Sequence, residues 1–399
     1  MKLIQYRGEI DGLRALSVLA VVLFHFDFLS VTGGFYGVDV FFVISGYLIS
    51  SLLFAEVDRT GTLSISNFYL RRTRRILPAL LVVCLATYVL FALFVGEVQS
   101  PFPHFGQSLL ATLFSASNIF FWQKAGYFSL DAWAEPLLHT WSLGVEEQFY
   151  LIIPLLLYWL SRAPGEVGRR KRYLAVFSCM AVLSFALCRY GADLVGRDFI
   201  FYMLPTRMWE LLIGVLVSLI LRRRMLTRLP HRWMNELLSV VGVAVMLYGF
   251  FNFHETTRIA EKSLVVTSGA ALFLLFTNEA TLVGRLFTSR PMRLTGNVSY
   301  SWYLWHWPLV SLSVMMEVKY PGLSSTAVRI GLCVLSYVLA FFSWKYVETP
   351  FRRIKNWLPC IKRLAPLFIL LVGIGLVNAL HVFGSSPIPS SSDSCRGLR

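Results

Sequence analysis

The stretch GLRALSVLAVVLFHFDFL, residues 12–29, reads as a membrane-spanning helix interrupted at two positions, Arg14 and His25. A charged side chain in hydrocarbon costs several kcal/mol, so such residues face a bundle interior or a wet cavity and mark function. At 100° per residue, the separation of the two is three turns plus roughly 20°, which puts both on one helix face, about 16 Å apart along the axis. That is about half the thickness of a bilayer core.

The remainder of the chain has the same character. Of 399 residues, 56% are hydrophobic and 15% charged, with a mean hydropathy of +0.62. These values exclude a soluble domain and point to an all-α, polytopic membrane bundle. The net charge of +15 does not indicate nucleic acid, because the basic residues stand in short clusters between apolar runs rather than over a soluble face. The partner they imply is the lipid bilayer. About eleven spans are expected, near 13–30, 35–55, 77–96, 141–160, 173–190, 200–221, 234–251, 263–277, 298–316, 325–347 and 364–383. With the N-terminus cytoplasmic, 25 Lys and Arg fall in inward loops and five, Lys124, Arg197, Arg258, Lys262 and Lys319, in outward ones. That is the positive-inside pattern for an odd number of spans. If HFGQSLLATLFSASNIFFW (104–122) also crossed, every later loop would invert, so it is expected to lie as an interfacial or re-entrant helix on the external side.

Residues 1–360 are expected to hold ten spans, 361–384 an eleventh helix, and 385–399 a Ser/Pro-rich external linker. The first span lacks a nearby small-residue cleavage site and is expected to stay as an anchor. The six cysteines form no CxxC pair and lie mostly in apolar spans, where they read as small packed hydrophobes. No metal is expected.

Polar residues recur at one depth. HTWSLGVEEQFY (139–150) and PTRMWELLIG (205–214) enter their helices from the outside, and they carry Glu146, Glu147, Arg207 and Glu210 to the level of His25. The economical arrangement pairs Arg207 with a glutamate and sets His25 nearby; an isolated i, i+3 pair of Arg207 with Glu210 is the structural alternative. In SNFYLRRTRRILPAL (66–80), Arg71, Arg72, Arg74 and Arg75 satisfy the inward charge rule, and their R-x-x-R spacing also suits several phosphates, since guanidinium forks bind phosphate oxygens bidentately. Asp11 and Arg14 form an i, i+3 pair at the same edge. SYSWYLWHWPLV (299–310) reads foremost as an interfacial aromatic belt around His306. Glu348, in KYVETPFRR, reads as a helix stop paired with a neighbouring arginine.

These motifs together, from YRGEIDGLRALSVLAVVLFH through GGFYGVDVFFVISGYLI, FYLRRTRRILPAL, LLHTWSLGVEEQFY, RMWELLIG and YSWYLWHWPL to VETPFR, resemble membrane acyltransferase family 3 over nearly the whole chain. The resemblance implies O-acyl transfer to an extracytoplasmic glycan, in a bacterial-type cytoplasmic membrane. It implies that the Arg-x10-His pair, Arg14 with His25, is the signature, and that Arg71, Arg72, Arg74 and Arg75 meet an acyl-CoA donor, acetyl-CoA above all. Glu146, Arg207 and Glu210 join His25 as expected catalytic residues, and His139, Trp141, Ser142, Tyr300 and His306 as expected substrate contacts. Some members are fused to an external SGNH-type hydrolase-like domain, and the eleventh span with its linker resembles that kind. Two other classes stay open on the residues alone: a proton-coupled transporter or flippase built on His25, Arg207 and Glu210, and a scaffold whose basic loops bind anionic lipid.

Overall fold

The computed structural model describes residues 6–94, 102–124, 130–162, 165–222, 232–254, 258–320 and 325–384. The expected linker, 385–399, lies outside them. Among the described residues every element is helical. The chain runs α1 (Gly8–His25), a 3-10 turn (Gly34–Tyr36), α2 (Gly37–Thr60), α3 (Ile65–Phe94), α4 (Phe102–Leu113), α5 (Ser117–Lys124), α6 (Leu130–Trp133) and α7 (Thr140–Ser161). It continues through α8 (Glu166–Tyr190), α9 (Ala192–Val195), α10 (Arg197–Tyr202), α11 (Leu204–Arg222), α12 (Arg232–Asn252) and α13 (Ile259–Phe276). It ends with α14 (Leu282–Phe287), α15 (Arg290–Lys319), α16 (Thr326–Phe342), a π-helical turn (Ser343–Glu348), α17 (Thr349–Arg352) and α18 (Trp357–Gly384).

Among the described residues nine helical segments are long and apolar enough to cross a membrane: those of α2, α3, α7, α8, α10 with α11, α12, α13, α16 with α17, and α18. They coincide with nine of the expected spans, and the chain is a multi-pass integral membrane protein. Their outer faces are apolar, as lipid requires: Val182 and Leu183 on α8, Val240 on α12, Val334 on α16 and Ile369 on α18 are all exposed. The stretch 104–122 does not form one helix. It breaks at Ser115, whose φ is +57°, into α4 of 12 residues and α5 of 8, each shorter than the about 20 residues a span needs. Asn118 and Gln148 exchange amide hydrogen bonds (2.8 and 3.3 Å), tying α5 to α7.

The two remaining expected spans, α1 and α15, are the polar ones. Glu9, Asp11 and Arg14 lie on α1, and α15 is rich in Ser, Tyr, Trp and His. Both are sheltered by neighbours; thirteen residues of α1 are buried, on all sides of the helix. The two helices run parallel, Asp11 beside Gly296 and His25 beside His306. A Cβ at Gly296 would stand 1.8 Å from the Asp11 carbonyl oxygen, and one at Gly12 2.2 Å from that of Phe287. Only glycine permits this approach. A second parallel pair, α2 with α11, crosses closely at Gly46 and Gly214, with Asp39 bound to Arg207 at one end and Ser51 to Ser218 (2.8 Å) at the other. Both pairings agree with the order of the expected spans, in which first and ninth, and second and sixth, share a direction.

The Glu348 segment differs in part from its expectation. Glu348 does pair with an arginine, Arg352, at 2.6 Å, but the helix does not stop there. Pro350 cannot donate to a carbonyl four residues back and its ring crowds that turn, so the helix widens into the π turn. The Thr349 hydroxyl then donates to the Trp344 carbonyl (2.8 Å), and α17 follows.

Gly296→Ala is expected to force α1 from α15, at a cost of about 1–3 kcal/mol for overpacking. Thermal unfolding of the detergent-solubilised protein reads this. An unchanged melting temperature would show that the close contact is dispensable.

Candidate functional site

The α1–α15 contact brings two imidazoles together. His25 ends α1 at 6% exposure, and His306 on α15 is fully enclosed. His25 Nδ1 lies 3.2 Å from His306 Nε2, and the rings stack at 5.2 Å between centroids. His306 Nδ1 is 2.6 Å from the Tyr303 carbonyl oxygen. A carbonyl only accepts, so His306 Nδ1 carries a proton and, in the neutral ring, Nε2 carries the lone pair. That lone pair accepts from His25 Nδ1–H, which leaves the His25 lone pair on Nε2. The hydrogen-bond chain thus assigns both tautomers. Trp307 stands edge-on to His25 at 4.7 Å and Trp133 at 5.7 Å, packing the imidazole on its apolar sides.

A third imidazole, His139 at the start of α7, lies 5.9 Å from His306 and 5.6 Å from Tyr303 between ring centroids. It is 2% exposed, and among the described residues neither of its ring nitrogens has a hydrogen-bond partner. Burying unsatisfied polar atoms costs about 1–3 kcal/mol each, so this ring is poorly explained by packing alone. Among the described residues no group of three His, Cys, Asp or Glu has metal-binding geometry. His306 and its flanking tryptophans do not form an interfacial belt. Trp302, Trp305 and Trp307 are buried, because α15 is an inner helix and its aromatic face packs on protein rather than lipid.

Next to this cluster is a cavity of about 100 Å³. Arg14, Arg72 and Arg75 line it, with Glu146 and Tyr150; Phe41, Phe42, Leu48 and Ile49 are part of its apolar wall, and Ser142, Tyr300 and Tyr303 also face it. Helical geometry sorts the four loop arginines. Arg72 and Arg75, three residues apart, share the inward face of α3. Arg71 and Arg74 turn away: Arg71 pairs with Glu56 at 3.2 Å, and Arg74 donates to the Ile354 carbonyl. The Arg72 guanidinium stacks 4.5 Å from the Tyr150 ring, and its buried Nε has no hydrogen-bond partner among the described residues. The Tyr150 hydroxyl donates to Glu146 Oε2 (2.7 Å). Arg14 reaches Asp11 only at 3.5 Å. Three guanidiniums therefore share the cavity with one carboxylate, a net positive lining suited to an anion. Tyr300 donates to the Ile76 carbonyl (2.9 Å) at the arginine level.

Glu146 thus sits with the arginines, and the group that orients His25 is His306. Arg207 and Glu210 do pair, at 2.8 Å, but with a partner the sequence reading passed over. Arg207 binds Asp39 of α2 at 2.7 Å, and the Ser263 hydroxyl donates to the other Asp39 oxygen at 2.7 Å. Trp141, Phe42 and Phe201 surround the guanidinium at 5.6–5.9 Å. Among the described residues Arg207 hydrogen-bonds Glu210, Asp39 and Ser263 and not His25, so the grouping of Arg207 with His25 is replaced by two clusters. Asp39 was detectable as a lone carboxylate in the apolar run VDVFF. Tyr303 and Trp307 carried no signal apart from their aromatic neighbours.

Arg207→Ala would leave Asp39 and Glu210 as buried carboxylates without a counter-charge, costing about 3–5 kcal/mol. The expected result is a lower melting temperature in detergent than that of Glu210→Gln, which keeps the Arg207–Asp39 pair. Equal melting temperatures would contradict this account of the network.

The model of the acyltransferase domain family matches residues 7–345. The chain is 30% identical over 412 aligned positions to the Staphylococcus aureus (strain MSSA476) protein named "Putative O-acetyltransferase SAS0844", covering 98% of this chain and 67% of that one. It is 29% identical to peptidoglycan O-acetyltransferase OatA of Listeria monocytogenes, covering 88% of this chain and 56% of the relative. No solved structure matches the chain.

Proposed function

Because the chain belongs to the acyltransferase domain family and is an O-acyltransferase, we propose that it moves an acetyl group from cytoplasmic acetyl-CoA to a hydroxyl of an extracytoplasmic glycan. The observation that carries this reading is the cavity lined by Arg14, Arg72, Arg75 and Tyr303, the last of which packs against the His25–His306 pair. The relative from Listeria acts by name on peptidoglycan, and a cell-wall glycan is the acceptor class we propose here. The membrane is then the bacterial cytoplasmic membrane, with the eleven-span, N-terminus-inside topology of the charge pattern. An SGNH-type hydrolase-like domain outside it is a candidate relay to the final acceptor.

In this mechanism the donor's phosphates meet the positive lining, where guanidinium forks recognise phosphate oxygens. The slender thioester arm follows the apolar wall toward His25. His25 Nε2, bearing the lone pair, takes the proton of the acceptor hydroxyl as general base. The hydroxyl oxygen bonds to the thioester carbon, the carbon–sulfur bond breaks, and the departing thiolate receives the proton from His25. His306 holds the His25 tautomer through both transfers and is itself held by the Tyr303 carbonyl. The orphaned His139 nitrogens are the groups we assign to a polar atom of the substrate.

Two measurements test this. In membrane vesicles given radiolabelled acetyl-CoA, His25→Ala is expected to insert normally and lose acetylation of wall glycan, while His306→Ala loses about 10²-fold or more, in line with removal of a group that supports a general base. Full transfer by His25→Ala would end the assignment. Separately, Arg72→Ala with Arg75→Ala is expected to raise the KM for acetyl-CoA well beyond the effect of Arg71→Ala with Arg74→Ala. Equal effects of the two pairs would remove the donor role from the cavity.

A further inference from the structure

We propose that Tyr303 is the residue that fixes the size of the transferred acyl group, an inference that rests on the acyl-CoA reading above. Tyr303 lines the cavity, and His25, His139 and His306 stand outside its lining. On one side its ring lies 6.4 Å from that of Phe41, a cavity wall residue, and on the other 5.3 Å from His306 and 5.6 Å from His139, all between centroids. Those are contact separations for packed rings, so the Tyr303 ring stands between the donor cavity and the imidazoles and narrows the way to them.

The helical register says the same. Tyr303 lies one turn after Ser299 and Tyr300, which line the cavity together with Arg14 and Ile76, and one turn before His306. Anything that travels along α1 from Arg14 toward His25 passes its side chain. The wall is also fixed in place. The Tyr303 hydroxyl donates to the His139 carbonyl (2.9 Å), and the Ser142 hydroxyl, 2.8 Å away, donates to the phenol oxygen. The backbone of the same residue accepts from His306 Nδ1, so displacement of Tyr303 disturbs the catalytic pair. A short acyl group needs little of this space, whereas each further methylene must take volume that the ring occupies.

One methylene in an apolar pocket is discriminated by about 10- to 200-fold, so removal of the ring has a measurable signature. The full chain in nanodiscs is loaded with tritiated acetyl-CoA, and the label is displaced by two unreactive thioethers, S-ethyl-CoA and S-butyl-CoA. For the wild type, S-ethyl-CoA is expected to compete better. Tyr303→Ala is expected to raise the relative affinity of S-butyl-CoA by about tenfold or more, Tyr303→Leu by less, and Tyr303→Phe, which keeps the ring, to retain the wild-type ratio. The ratio reads the wall even in a variant that no longer transfers acetyl, and Tyr303→Leu serves where Tyr303→Ala is poorly inserted. A wild-type ratio in both the alanine and leucine variants would overturn the inference. Failure of the wild type to bind acetyl-CoA at all is a different result, and it would remove the donor reading itself.

Discussion

The contact on which this structure depends is the one between α1 and α15, where Gly296 lies against the Asp11 carbonyl with no room for a side chain. Two helices too polar to face lipid are joined there along their lengths and enclosed by apolar neighbours. The contact fixes a register. Asp11 meets Gly296 at one end, and His25 meets His306 at the other. A slip of one residue on either helix would rotate the imidazoles apart, since successive residues differ by 100° around the axis.

Buried charge is handled in two ways. Arg207 is neutralised: two carboxylates and a hydroxyl bind it, aromatic rings enclose it, and it joins α2, α11 and α13. Such a cluster is expensive to break, and its two carboxylates leave no excess positive charge for an anion. The arginines of the cavity are different. Arg14, Arg72 and Arg75 outnumber Glu146, the one carboxylate among the described lining residues. A protein selected for stability alone would not leave that excess beside a void. It is the arrangement expected of a binding site whose counter-charge arrives with a ligand.

The span pattern was legible because hydropathy and loop charge are local and additive along a chain. Burial of α1 and α15 followed from their polar residues, and the break at Ser115 agreed with the loop-charge argument against a crossing there. Partners were less legible. Arg207 had to find a carboxylate, but which one depended on how α2 crosses α11, and only the Gly46–Gly214 approach brings Asp39 within reach. The tryptophans around His306 have the composition of an interfacial belt, and whether they face lipid or protein is decided by the position of α15 in the bundle. In the arginine loop, spacing showed two R-x-x-R pairs but not which pair turns inward. That depends on the orientation of α3 about its own axis.

The central claim is that a thioester presented from the arginine side reaches position 25. The most direct measurement replaces His25 with cysteine and exposes inside-out vesicles to bromoacetyl-CoA, whose carbon alkylates a thiolate with loss of bromide, followed by peptide mass spectrometry. The account predicts an adduct on His25→Cys that excess acetyl-CoA prevents. Alkylation of other cysteines with none at position 25 would contradict it.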